Sequence, residues 1–303
     1  MHPPPSMILF TVLSGLGLGM IAWTGIGLGG WDHLFGWLTV PLALVITGAG
    51  GLCSLGHLGR PDRAWRAFSQ WRSSWLSREA CLMIATMVVF FLHACLWLLT
   101  GTEIAPLGWL AAALALATVY STAMIYAQLR TVPMWSGTPT PFLFMVLALA
   151  GGLVAVAALR GLATGDTPVL WTFLALLFAG GTAVWWTQQA AGAGRNLDGS
   201  TMETATGLGK IGRVRMLEAP HTGSNYLLKE MAFQVGRARA FQLRKIGAFA
   251  GFILPLVLVL LAWGIGPWAL ILALLCHVAG MLALRWLFFA EARHVQALYY
   301  GQR

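Results

Sequence analysis

Charge is scarce in this sequence. Of its 303 residues only 10% are Asp, Glu, Lys or Arg, while 58% are hydrophobic. A water-soluble domain of this length is rarely so poor in charge, and long apolar runs indicate a helical protein that crosses a membrane several times. The runs are continuous and lack the period-two alternation of a transmembrane β-barrel. Paired cysteines are also missing: Cys53, Cys81, Cys95 and Cys276 stand singly within apolar runs, and there is no CxxC. Neither an iron–sulfur cluster nor a structural zinc site is expected of them. They read as small buried hydrophobes. The first residues, MHPPPSMILF, lack a basic n-region and a small-residue cleavage pattern, so the first run reads as a retained span.

What is present is a set of eight apolar runs, each long enough to cross a bilayer at about 20 residues. They fall near 6–28, 34–56, 78–100, 106–128, 139–161, 167–188, 246–265 and 267–290. The 36 glycines suit close helix packing in lipid. All but one of the 19 Lys and Arg residues lie on the side that holds the N-terminus, Arg160 being the exception. The positive-inside rule places that side in the cytoplasm. The expected fold class is therefore an all-α integral membrane protein, with eight transmembrane helices, both termini cytoplasmic and one long cytoplasmic loop. The net charge of +9 reflects this topology and contact with anionic lipid, and requires no nucleic-acid partner.

The long loop, 189–245, is basic. Its second half, from 224 to 247, mixes Leu, Met and Phe with Lys and Arg, as an amphipathic helix at the membrane surface or against a partner subunit would. The segment 207-GLGKIG-212 matches GxGxxG, but no strand precedes it, and it reads as a loop. His93 and His277 lie deep in spans and could in principle ligate a haem across helices. Lone histidines in spans more often bond a neighbouring helix, and haem is not expected.

Polarity gathers at 57-HLGRPDRAWRAF-68, where the second span ends, and at 77-SREACLM, where the third begins. Gly59 and Pro61 stop the helix, which leaves His57 in its last turn and Glu79 in the first turn of the next span. Interfacial Trp and Arg explain most of the stretch, but ionisable groups at membrane depth are costly without a use. A quinone would use them. An imidazole can hold one carbonyl and exchange a proton near neutral pH, and a carboxyl at the water boundary can relay a second proton. Neighbouring cations stabilise negative charge on the ring. A transporter would instead carry its polar groups on broken helices at mid-membrane.

These residues also carry a resemblance. The pieces 8-ILFTVLSG-15, 57-HLGRPDRAWRAF-68, 76-LSREA-80 and 131-TVPMWSGTPTPFLF-144 resemble the membrane-anchor subunits of DMSO-reductase-type molybdoenzymes, within the wider polysulfide-reductase and nitrite-reductase anchor group. The resemblance implies an eight-helix subunit without a metal centre of its own. It would hold a molybdopterin catalytic subunit and an iron–sulfur subunit with four clusters at the bacterial cytoplasmic membrane. Electrons would pass between the nearest cluster and a quinone, ubiquinone or menaquinone, bound among the first helices. By motif the quinone-site residues are His57 and Glu79, with Arg60, Asp62 and Arg63 as neighbours. The long basic loop looks like that of the anchors of cytoplasmic sulfite dehydrogenases, which implies electron flow from sulfite to quinone. The alternative is a quinol-oxidising anchor of a sulfoxide reductase.

Overall fold

Sharp helix punctuation divides the chain into hairpins. Prolines open three of the long helices, at Pro5, Pro139 and Pro267, where the missing N–H costs nothing. Asp32 caps another, its carboxylate accepting from the Phe35 N–H at 2.8 Å. Ser74 caps a further one through the Ser77 N–H. The turn between the last two spans is a single residue, Gly266, whose φ of 80° is open to glycine and strained for other residues.

The computed structural model describes residues 4–56, 60–195, 201–215, 217–218 and 240–295. Among them are eight long apolar helices and no strand. In chain order these are α1 (Pro5–Gly25), α2 (His33–Leu55), α3 (Trp75–Thr100), α4 (Ala105–Ala127), α5 (Pro139–Thr164) and α6 (Val169–Arg195). A short α7 (Met202–Thr206) follows, then α8 (Ala240–Ile265) and α9 (Pro267–Ala290). A 3-10 helix, Pro61–Phe68, bridges α2 and α3. The helix α8 contains a π-helical turn at Phe249–Ile253. The helices overrun the expected spans at several ends: α3 starts at Trp75, α6 continues to Arg195, and α8 starts at Ala240. Of the amphipathic segment expected at 224–247, residues 224–239 lie outside the described residues.

Two helices form the centre. In α1 and α5, 72% of the most apolar stretch is buried, against 28% in α2 and 33% in α3 and α6. The central pair meets through glycine: a methyl at Gly19 would strike the Ala148 carbonyl, and one at Gly152 would strike the Gly19 backbone. Such backbone-to-backbone approach is how helices gain packing in lipid, where apolar burial alone drives no association. The helix α2 packs on α1, and α4 packs on both α1 and α3, while α2 and α3 touch each other only sparingly.

Contacts between loops sort the ends. Ser6 lies by Gly56, the Val295 N–H donates to the Thr131 carbonyl at 2.9 Å, and Arg244 pairs with Glu291 at 2.5 Å. At the opposite end Arg160 donates to the Leu28 carbonyl at 2.8 Å and pairs with Asp166 at 2.5 Å. At the basic end the contacts join α1 to α2, and the residues after α9 to the α4–α5 loop and to the start of α8. Arg285 is a correction to the charge map drawn from the sequence: it does not reach that surface but is buried inside α9, with 6% exposure. The cysteines are half-buried rather than fully buried.

Candidate functional site

The sparse contact between α2 and α3 leaves a groove at the basic end. It has a volume of about 480 Å³, within the usual range for small-molecule sites. Phe10 of α1 forms its floor, Leu52 of α2 and Met83 of α3 its sides, and Trp65 and Phe68 of the 3-10 helix its roof. Leu52 and Trp65 are 69% and 65% exposed, so the groove opens outward from the bundle. Among the described residues its lining is apolar apart from Ser54 and one ionisable group, the carboxyl of Glu79.

Glu79 is positioned by its helix and by a neighbour. It lies one turn into α3 and is 3% exposed. On the far side α4 presents Thr122, whose hydroxyl hydrogen bonds to Glu79 Oε1. The same hydroxyl lies 3.1 Å from the Thr118 carbonyl. A hydroxyl has one proton, so it can donate to only one of the two at a time. If it turns to the carbonyl, a neutral Glu79 can donate to it. The seam thus accommodates the carboxyl with or without its proton. One turn deeper, Thr86 and Thr118 join the same helices at 3.1 Å.

The roof is fastened to the same helix. Ser77, 2% exposed, donates to the Ala67 carbonyl and so ties the 3-10 helix to the first turn of α3. Arg78 donates to the carbonyls of Trp71 at 3.0 Å and Arg72 at 2.6 Å, and its guanidinium lies 4.3 Å from the centre of the Trp75 ring. These contacts fix the turn between roof and α3, which sets Trp65 and Phe68 over Glu79.

Among the described residues singled out in the sequence as site residues, Glu79 alone lines the groove. Arg60 is exposed, as are Asp62 and Arg63, which approach each other at 3.9 Å on the outer surface. His57 lies outside the described residues. The two deep histidines pack in different places. His277 abuts Gly151 near Leu16, and His93 abuts Gly108, which itself meets Gly25 at the other end of α1. The 131–144 motif acts as a clamp: Trp135 stacks on Phe288 and donates to its carbonyl at 2.9 Å, and Thr140 accepts from Trp186 at 3.1 Å. The 8–15 motif is divided, with Phe10 facing the groove and Thr11 and Ser14 facing an inner cavity. Sequence reasoning missed Thr122 and Ser77, which look like any small polar residue in a span.

An outward-opening apolar groove with one buried carboxyl at its end suits a flat, apolar ring with hydrogen-bonding oxygens and a lipid-soluble tail. Residues 1–190 match the family model of the DMSO reductase anchor subunit (DmsC). Over 99% of both chains, the protein is 32% identical to a subunit of the sulfite dehydrogenase of Allochromatium vinosum. It is 31% identical to the anaerobic dimethyl sulfoxide reductase chain YnfH of Escherichia coli, over 51% of this chain and 57% of that one. The chain belongs to the DMSO reductase anchor subunit family and is a multi-pass membrane protein.

Proposed function

We propose that this subunit anchors a molybdopterin oxidoreductase at the bacterial cytoplasmic membrane and carries its quinone site in the groove between α2 and α3. Its partners on this reading are a molybdopterin catalytic subunit and an iron–sulfur subunit with four clusters. They dock on the basic end of the bundle, which faces the cytoplasm together with both termini. The favoured direction is from sulfite to quinone, because the similarity to the sulfite dehydrogenase subunit runs the whole length of the chain, whereas that to the sulfoxide reductase chain stops at about half.

The observation that carries the reading is Glu79, a buried carboxyl placed at the end of a groove that is otherwise apolar. An ionisable group is costly there unless it is used. A quinone, when bound, supplies the two-electron, two-proton chemistry. The chain supplies the rest. Trp65, Phe68 and Met83 hold a ring and exclude water from it, and the open side admits a long tail from the lipid. Glu79 holds a proton at a carboxyl oxygen within the groove and moves it to or from a ring oxygen. Thr122 fixes the orientation of that carboxyl. His57, by its place in the motif, offers a hydrogen bond to the second ring oxygen, and Arg60, Asp62 and Arg63 flank the entrance.

The test is sulfite-dependent quinone reduction by the purified complex. Glu79→Gln keeps the shape and a hydrogen bond but cannot carry the proton. Turnover is expected to fall by about 10²-fold or more, with the three subunits still co-purifying. Unchanged turnover in Glu79→Gln, or in His57→Ala, removes that residue from the site.

A further inference from the structure

Behind Glu79, on the inner side of Thr122, lies a second polar place. A cavity of about 30 Å³ is enclosed by α1, α4, α5 and α9. Thr11, Ser14, Thr122, His277 and Arg285 give it polar walls in the middle of the bundle. The volume is sufficient for about two waters.

Two of these side chains have room for a further polar partner. The His277 ring nitrogen Nδ1 lies 2.6 Å from the Gly251 carbonyl, within the π-helical turn of α8. A carbonyl only accepts, so Nδ1 carries the proton and Nε2 of the neutral ring is an acceptor. Nε2 is buried with no hydrogen-bond partner among the described residues, and it borders the cavity. Arg285 is equally enclosed. Its guanidinium rests 3.6 Å from the centre of the Phe144 ring, and no hydrogen bond or ion pair reaches it among the described residues. A buried acceptor with no partner is expensive unless something bonds it, and a buried cation held only by aromatic faces gains from a polar neighbour. Arg285 lies two turns beyond His277 on α9, a rise of about 12 Å, and its side chain leans back toward the cavity. Water fits both needs, since it accepts from the guanidinium and donates to Nε2. An anion would satisfy Arg285 but repel the lone pair of Nε2.

We infer that this cavity holds a short internal water chain, from Arg285 to His277, that exchanges protons with Glu79 through the Thr122 hydroxyl. The inference rests on the quinone reading of Glu79. For each proton that leaves the Glu79 carboxyl, Thr122 passes its own proton to Oε1 and takes one from the adjoining water. The guanidinium stabilises the hydroxide left behind until a proton arrives. Arg285 also lines a second cavity of about 30 Å³ beside Trp186 and Thr187 of α6, and on this inference the replacement proton comes from the water phase by that flank. No net charge remains once one proton has entered for each one delivered. Thr122 is a positioning and relay residue on this account.

Two measurements on the assembled complex test it. A cryo-EM map fine enough to show ordered water should have density within hydrogen-bond reach of both Arg285 and His277 Nε2. No density there, or one peak bound to Arg285 alone as chloride would be, overturns the inference. In parallel, Thr122→Val should slow quinone reduction about 10-fold and raise its solvent deuterium isotope effect, with affinity for a quinone analogue unchanged. Thr122→Ser, which keeps the hydroxyl, should restore both. Wild-type rate and isotope effect in Thr122→Val, or loss in both variants alike, overturns the relay. If Glu79→Gln leaves turnover unchanged, the quinone reading of Glu79 itself fails. If Glu79→Gln is inactive while the Thr122 tests are negative, only the water chain fails.

Discussion

At the scale of single residues, the sequence points to Glu79 as a carboxyl in the first turn of a span at the water boundary; because α3 begins earlier, at Trp75, the structure sets Glu79 one turn further in, buried in the lining of the groove. Its partner is not legible. Thr122 lies 43 positions away in a run of Ala, Thr and Ser, and in-span threonines commonly bond their own helix, as Thr118 and Thr172 do here. Arg285 escapes the sequence for a related reason, because proximity to a helix end in sequence does not reveal how far neighbouring loops extend over it. Phe68 permits a test of the groove by size rather than by charge. Phe68→Ala removes the roof over Glu79 and should raise the quinone KM several-fold, with a smaller change in kcat, as loss of uniform binding would. Steady-state kinetics over a range of quinone concentrations measures it.

At the scale of elements, all eight spans are visible as apolar runs, yet their arrangement is not. Helices in lipid are apolar on every side, so periodicity does not mark an inward face. That α1 and α5 are central shows only in the structure, in their burial and in the glycine contacts between them. Gly152→Leu should therefore be severe, because the obstruction is backbone rather than a side chain that can turn aside. A cost of at least about 3 kcal/mol is expected, read as loss of the complex from detergent extracts or a lowered unfolding temperature. Gly181, at which an added Cβ meets nothing within 4 Å, should accept Ala without effect. The 3-10 roof is held differently, by one buried hydroxyl. Ser77→Ala should cost about 1 kcal/mol and loosen Trp65 and Phe68, so that quinone affinity falls more than assembly does. Thermal unfolding and an inhibitor titration separate the two.

At the scale of the whole molecule, the charge pattern and the loop contacts agree that one end gathers the basic residues. Cysteine labelling in intact cells checks which compartment that end faces: a single cysteine at Arg72 should be shielded from an impermeant reagent, and one at Thr102 should react. Beyond topology, the glycine crossing bears on how the chain is made. Roughly 110 residues separate the end of α1 at Gly25 from the start of α5 at Pro139. At ordinary synthesis rates that is about 6–20 s. During that interval α1 is inserted with the glycine face that α5 covers still open. Nascent chains halted before Pro139 should therefore be substrates for membrane proteases and insertion chaperones, and a stall just after Thr164 should mark the length at which they cease to be.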